Sequence, residues 1–70
     1  MTLNIFLNDV KAGGGTIFYE NRRGKLVELM NVRPKTGRGA LFYNQIDHEG
    51  EIVKDGWKYL IRTDVMASIL

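Results

Sequence analysis

His48 is the one side chain in this sequence that titrates near neutral pH, and it stands between Asp47 and Glu49, with Glu51 two residues on. Four such groups could ligate a divalent metal, but acidic residues crowded into a turn commonly serve only to keep it in water. Ser68 is the sole serine and Cys is absent, so no set of nucleophile, base and orienting acid can be named. Gly24-Lys25 is followed by Leu26 rather than Ser or Thr, which excludes a phosphate-binding P-loop. The residues therefore predict a non-enzymatic protein with no metal and no cofactor.

The charges are more informative than the candidate catalysts. Ten Lys plus Arg stand against eight Asp plus Glu, a formal net charge of +2, yet the two signs are segregated along the chain. Residues 21–39 hold Arg22, Arg23, Lys25, Arg33, Lys35 and Arg38 against Glu28 alone, whereas residues 44–56 hold Asp47, Glu49, Glu51 and Asp55 against Lys54. A loop rich in Lys, Arg and Gly, with backbone N–H groups free, suits a phosphate backbone. Phe42 and Tyr43 follow that basic loop directly, and Phe18, Tyr19, Trp57 and Tyr59 lie on adjoining runs, some of them needed for the core. Aromatics interleaved with cations are how single strands are stacked and clamped.

Positioning those residues falls to short apolar runs punctuated by Gly, Asn and Asp, the pattern of antiparallel strands. Six strands are expected, at 2–8, 16–20, 25–32, 38–46, 51–54 and 57–62. Leu3, Ile5 and Leu7 alternate with Asn4 and Asn8, which predicts an inward aliphatic row and leaves Phe6 on the polar side. Gly13-Gly14-Gly15 reads as a loop, because three glycines lose much entropy when ordered. Asn21-Arg22-Arg23-Gly24 and Asp47-His48-Glu49-Gly50 have the form of type I turns closed by glycine, and Asp55-Gly56 that of a type I′ hairpin. Thr63 is a candidate N-cap with Asp64 in the first turn of a short C-terminal helix reaching Leu70. Leu26, Leu29 and Met30 also fit a helical stripe, so a helix competes there with a strand.

In a meander, successive loops alternate between the two ends of the sheet. That places Arg22, Arg23 and Lys25 opposite Asp47, Glu49 and Glu51, where charges cancel, and gathers Lys11, Arg33, Lys35, Lys54 and Arg38 at the other end. The expected fold is a single all-β domain over residues 1–70, a small SH3-like barrel or bent antiparallel meander with that C-terminal helix; a winged helix is the alternative.

Lys35-Thr36-Gly37-Arg38-Gly39-Ala40 resembles the turn and strand start of the small SH3-like chromatin proteins of hyperthermophilic archaea, whose strand lies against the DNA minor groove. The resemblance implies DNA-facing roles for Arg38, Ala40 and Phe42. Val53-Lys54-Asp55-Gly56 with Tyr59-Leu60 and Val65 is similar to the wing of phage excisionases and related winged-helix proteins, and Leu29-Met30-Asn31-Val32 with Lys35-Thr36 resembles their helix-turn-helix joint. Both resemblances imply DNA.

Seventy residues bury only about 60% of their unfolded surface, and without Cys there is no disulfide to compensate. Self-association as a homodimer would supply what the core cannot. Met1 to Val10 has no basic stretch or long apolar run of a signal peptide, and no segment approaches the ~20 apolar residues of a membrane span, so a cytoplasmic protein is expected. The sequence thus predicts nucleic-acid binding through Lys11, Arg33, Lys35, Arg38, Ala40 and Phe42. A small phage- or mobile-element-type protein that modulates a protein partner is the alternative. Aromatics and cations sharing one exposed face favour the first; an apolar patch away from the basic loops favours the second.

Overall fold

The computed structural model describes residues 1–66, in eight strands and no helix: β1 Thr2–Phe6, β2 Ala12–Gly13, β3 Thr16–Arg22, β4 Lys25–Val32, β5 Gly39–Phe42, β6 Asp47–Gly50, β7 Val53–Asp55 and β8 Leu60–Asp64. All pairing is antiparallel, in sheets ordered β5-β1-β8, β4-β3-β6 and β2-β7. The all-β class read from the sequence is what the chain adopts.

Local chemistry decides one hairpin. Arg22 pairs with Lys25 across a two-residue turn in which Arg23 (φ 52°) and Gly24 (φ 81°) both take positive φ, a type I′ turn whose twist suits the flanking strands. The Asn21 side chain accepts the Gly24 N–H at 3.0 Å. This turn returns the chain at once onto β3, so Leu26 to Val32 forms a strand and the helical reading, with the winged helix that needs it, is overturned. A bulge opposite Phe18 and Tyr19 interrupts the ladder.

Elsewhere long-range pairing overrides the local signals. Asp47–Gly50, expected as a turn, becomes β6 because the open edge of β3 needs partners, and the reversal moves to residues 43–46, where the Ile46 N–H bonds the Tyr43 carbonyl at 3.1 Å. The strand expected at 38–46 therefore ends at Phe42. Asp55 ends β7, whose partner is β2; Gly56 alone of that pair has positive φ (100°), so no type I′ hairpin forms there. The topology is not a meander: β3–β4 is the one sequential strand pair in these sheets. Thr63 and Asp64, expected to start a helix, close β8, and the ladder continues as the Val65 N–H bonds the Met1 carbonyl at 2.8 Å. The remainder of the expected helix, 67–70, lies outside the described residues.

The core is small: Phe6, Val10, Ile17, Phe18 and Phe42, with buried Thr2, Asn4 and Thr16. Phe18 and Phe42 meet edge to face, centroids 4.9 Å apart, and His48 lies 4.7 Å from Phe42. The inward row of β1 is thus Thr2, Asn4 and Phe6, the reverse of the expected aliphatic row. Gly13–Gly15 is no flexible loop either. It is buried backbone: Gly14 N–H bonds the Ile52 carbonyl at 3.1 Å, the Gly15 carbonyl accepts Glu51 N–H at 2.8 Å, and a Cβ at Gly13 would stand 2.1 Å from the Ile52 oxygen. Close approach at Gly13 and Gly15, and positive φ at Gly13 (72°) and Gly14 (77°), rather than flexibility, explain these glycines.

Candidate nucleic-acid interface

At the far end of β1 the chain brings three separate segments together. Phe6 N–H bonds the Arg38 carbonyl at 2.9 Å, Gly37 N–H the Phe6 carbonyl at 2.8 Å, and Leu7 N–H the Tyr59 carbonyl at 2.9 Å. The basic loop 33–38 and the segment 57–59 therefore flank β1 on opposite sides, two strand spacings or about 10 Å apart. Asp9 fixes the loop: its carboxylate accepts the Thr36 N–H at 2.7 Å and the Thr36 hydroxyl at 3.1 Å. Those two bonds hold the Asp9 carboxyl below its ordinary pKa; desolvation opposes them, and nearby Lys35 and Arg38 add lesser lowering effects. Asn8 fixes the other segment, donating to the Trp57 carbonyl at 2.7 Å and accepting the Tyr59 N–H at 2.8 Å.

Lys11, Arg33, Lys35 and Arg38 are all exposed at this end. Arg38 donates to the Arg33 carbonyl at 3.0 Å, which orients its guanidinium along the loop. Lys11 joins through its backbone, which would lie 3.7 Å from a Cβ at Gly56. Tertiary bonds, and not an alternating meander, bring the segments that carry these four residues toward one end. The free glycine N–H groups expected there are not present: Gly14 N–H is spent on a backbone carbonyl. The opposing end differs too. Arg22 pairs with Glu20 at 2.7 Å, the only ion pair among the described residues, while the β3–β4 tip extends beyond β6 and so leaves Asp47, Glu49 and Glu51 behind.

Ala40 and Phe42 are not surface contacts. Ala40 is half-buried opposite Asn4, and Phe42, 7% exposed, packs against Phe18 and His48. The exposed rings are Trp57 at 78%, Tyr43 at 68% and Tyr59 at 61%.

Between the sheets β5-β1-β8 and β4-β3-β6 lies a cleft of about 270 Å³, lined on one side by Asn4, Phe42, Leu60 and Arg62 and on the other by Thr16, His48 and Gly50, with Lys58 at its margin. The Lys58 ammonium is 5.6 Å from the Phe6 ring centroid. Asn4 is buried, and its Oδ1 has no hydrogen-bond partner among the described residues. His48 places Nδ1 2.8 Å from the Ile46 carbonyl, which can only accept, so Nδ1 carries a proton. Asn4, Lys58 and Arg62 were not singled out from sequence. A signal existed, for Lys58, Leu60 and Arg62 share one face by the period of two.

Among the described residues no three carboxylate or imidazole groups come together as a metal site, and no helix is long and apolar enough to cross a membrane. Comparison with family models, with curated proteins and with solved structures found no match to this chain.

Proposed function

We propose that this protein is a non-enzymatic, cytoplasmic binding module that holds nucleic acid at the loop end of β1, with little sequence preference. Lys11, Arg33, Lys35, Arg38 and Lys58 supply phosphate contacts. Trp57 supplies a ring on which a base can stack, the part the sequence had assigned to Phe42. The observation that carries this reading is the exposed Trp57, whose backbone carbonyl Asn8 holds across β1 from the basic loop. A freely accessible ring favours single strands, whose bases are unstacked. The resemblance to SH3-like chromatin proteins supports the proposal only through the loop and Arg38, since the strand residues Ala40 and Phe42 face inward.

Trp57 is the only tryptophan, so its emission reports on the site directly. Titration with single-stranded and duplex oligonucleotides at two salt concentrations is expected to quench it more on single strands. Five cationic contacts predict a log-log salt slope of about −3 to −4 on single strands. Arg38→Ala should weaken binding more than Arg22→Ala, because Arg22 is bridged to Glu20 on the distant tip. Absence of quenching at low salt, or equal losses from the two substitutions, removes the reading. The protein-partner alternative, a small phage- or mobile-element-type modulator, then leads; the exposed Leu26, Leu29 and Met30 on β4 favour it.

A further inference from the structure

Register places Leu3 beside Leu41 and Thr63, and Ile5 beside Gly39 and Ile61. Neighbours in register share a face, so the outer side of the β5-β1-β8 sheet is an aliphatic surface spanning three strands. None of those six residues is charged. Leu41 is 56% and Ile61 49% exposed, and no element of the described chain covers them.

We propose that this outer face is the contact between two copies of the chain, packed sheet on sheet about 10 Å apart about a two-fold axis. Area supports a second copy. A folded monomer of 8.0 kDa is expected to expose about 4,450 Å², whereas this chain exposes 5485 Å². Allowing for the four residues outside the described range, roughly 400 Å² remain in excess, about half of what one partner contributes to a standard interface, about 800 Å². Shape agrees: the molecule measures 41 × 36 × 12 Å, little more than one packed layer along its shortest axis.

Charge selects this face over its rivals. Across a two-fold axis residue i meets residue j and j meets i, so a face that carries no charge brings no like charges together. The outer face meets that condition. The edge of β4 does not, for it carries Lys25 and Glu28, and its bulge interrupts the ladder a strand-to-strand dimer would use.

Sedimentation of the full chain from low to high micromolar concentration is expected to show a monomer passing to twice 8.0 kDa. Leu41→Lys and Ile61→Lys should each raise the dissociation midpoint by about tenfold or more, with the β circular dichroism spectrum retained. Leu29→Lys, on the comparably exposed β4, should leave it unchanged. Should the lysine variants fail to fold, a nitroxide on Thr63→Cys, clean in a chain without native cysteine, should show intermolecular dipolar broadening. The same label on Arg23→Cys at the hairpin tip should show none. A wild-type monomer at high micromolar concentration, dissociation by Leu29→Lys but not Leu41→Lys, or broadening at position 23 and not 63 overturns the proposal.

Discussion

The two faces of β1 contradict one another. Inward lie Thr2, Asn4 and Phe6, all buried; outward lie Leu3 and Ile5, both partly exposed and continuous with Leu41 and Ile61. One strand thus buries its more polar side and leaves its aliphatic side to solvent. Alternation tells which residues share a face, but the neighbours decide which face is the core. Here Phe6 is covered on the inner side, Thr2 donates its hydroxyl to Asn44 at 2.6 Å, and no element of the described chain covers the outer row.

The largest expected effect that would break this comparison comes from Phe6→Ala. Phe6 is fully buried, so the substitution should cost about 3–5 kcal/mol in urea unfolding. Ile5→Ala, measured at concentrations where the dimer has dissociated, should cost well under half as much. Equal costs would mean that the outer face is core within the single chain. A smaller effect of opposite sign sharpens the same contrast. Asn4→Leu replaces the orphaned acceptor with an apolar group of the same branching, and should stabilise the chain by about 1 kcal/mol in thermal or urea unfolding. Loss of stability instead would show that Asn4 has a partner in solution.

The smallest effect concerns the loop at the end of β1. Asp9 has a folded-state pKa below its unfolded value, so its contribution is present above the unfolded pKa and lost as pH falls through the folded one. Asp9→Asn should flatten the acid limb of stability against pH. It should also weaken oligonucleotide binding modestly, since loop 33–38 loses the anchor of Thr36. An unchanged acid limb would mean that the Thr36 bonds do not persist in solution.

The parts of the fold legible in the sequence were those in which short-range chemistry decides. A turn over Asn21–Gly24 could be read, though it is type I′ and not the expected type I, and β1, β3 and β4 begin at the expected residues. Asp47–Gly50 was misread because its turn composition competes with an open β3 edge about thirty residues away, which only the folded chain reveals. Lys35 and Arg38 can be placed together from sequence because they bracket the same turn, whereas Phe42 turns inward: adjacency to a basic loop does not say toward which layer a ring turns. Lys58 and Arg62 lacked local emphasis and became visible only when β8 lay beside Asn4.

β1 also finds both of its neighbours far along the chain, with Ile5 opposite Gly39 on one side and Ile61 on the other. Closing loops of that length costs conformational entropy before any pairing rewards it, whereas β3 and β4 need close only a two-residue turn. During synthesis the hairpin can therefore form while β8 is still unmade, and the aliphatic surface of β1 acquires its third strand last. Two chains have no complete surface to offer each other until each has folded, so the proposed self-association would follow folding in time and not template it.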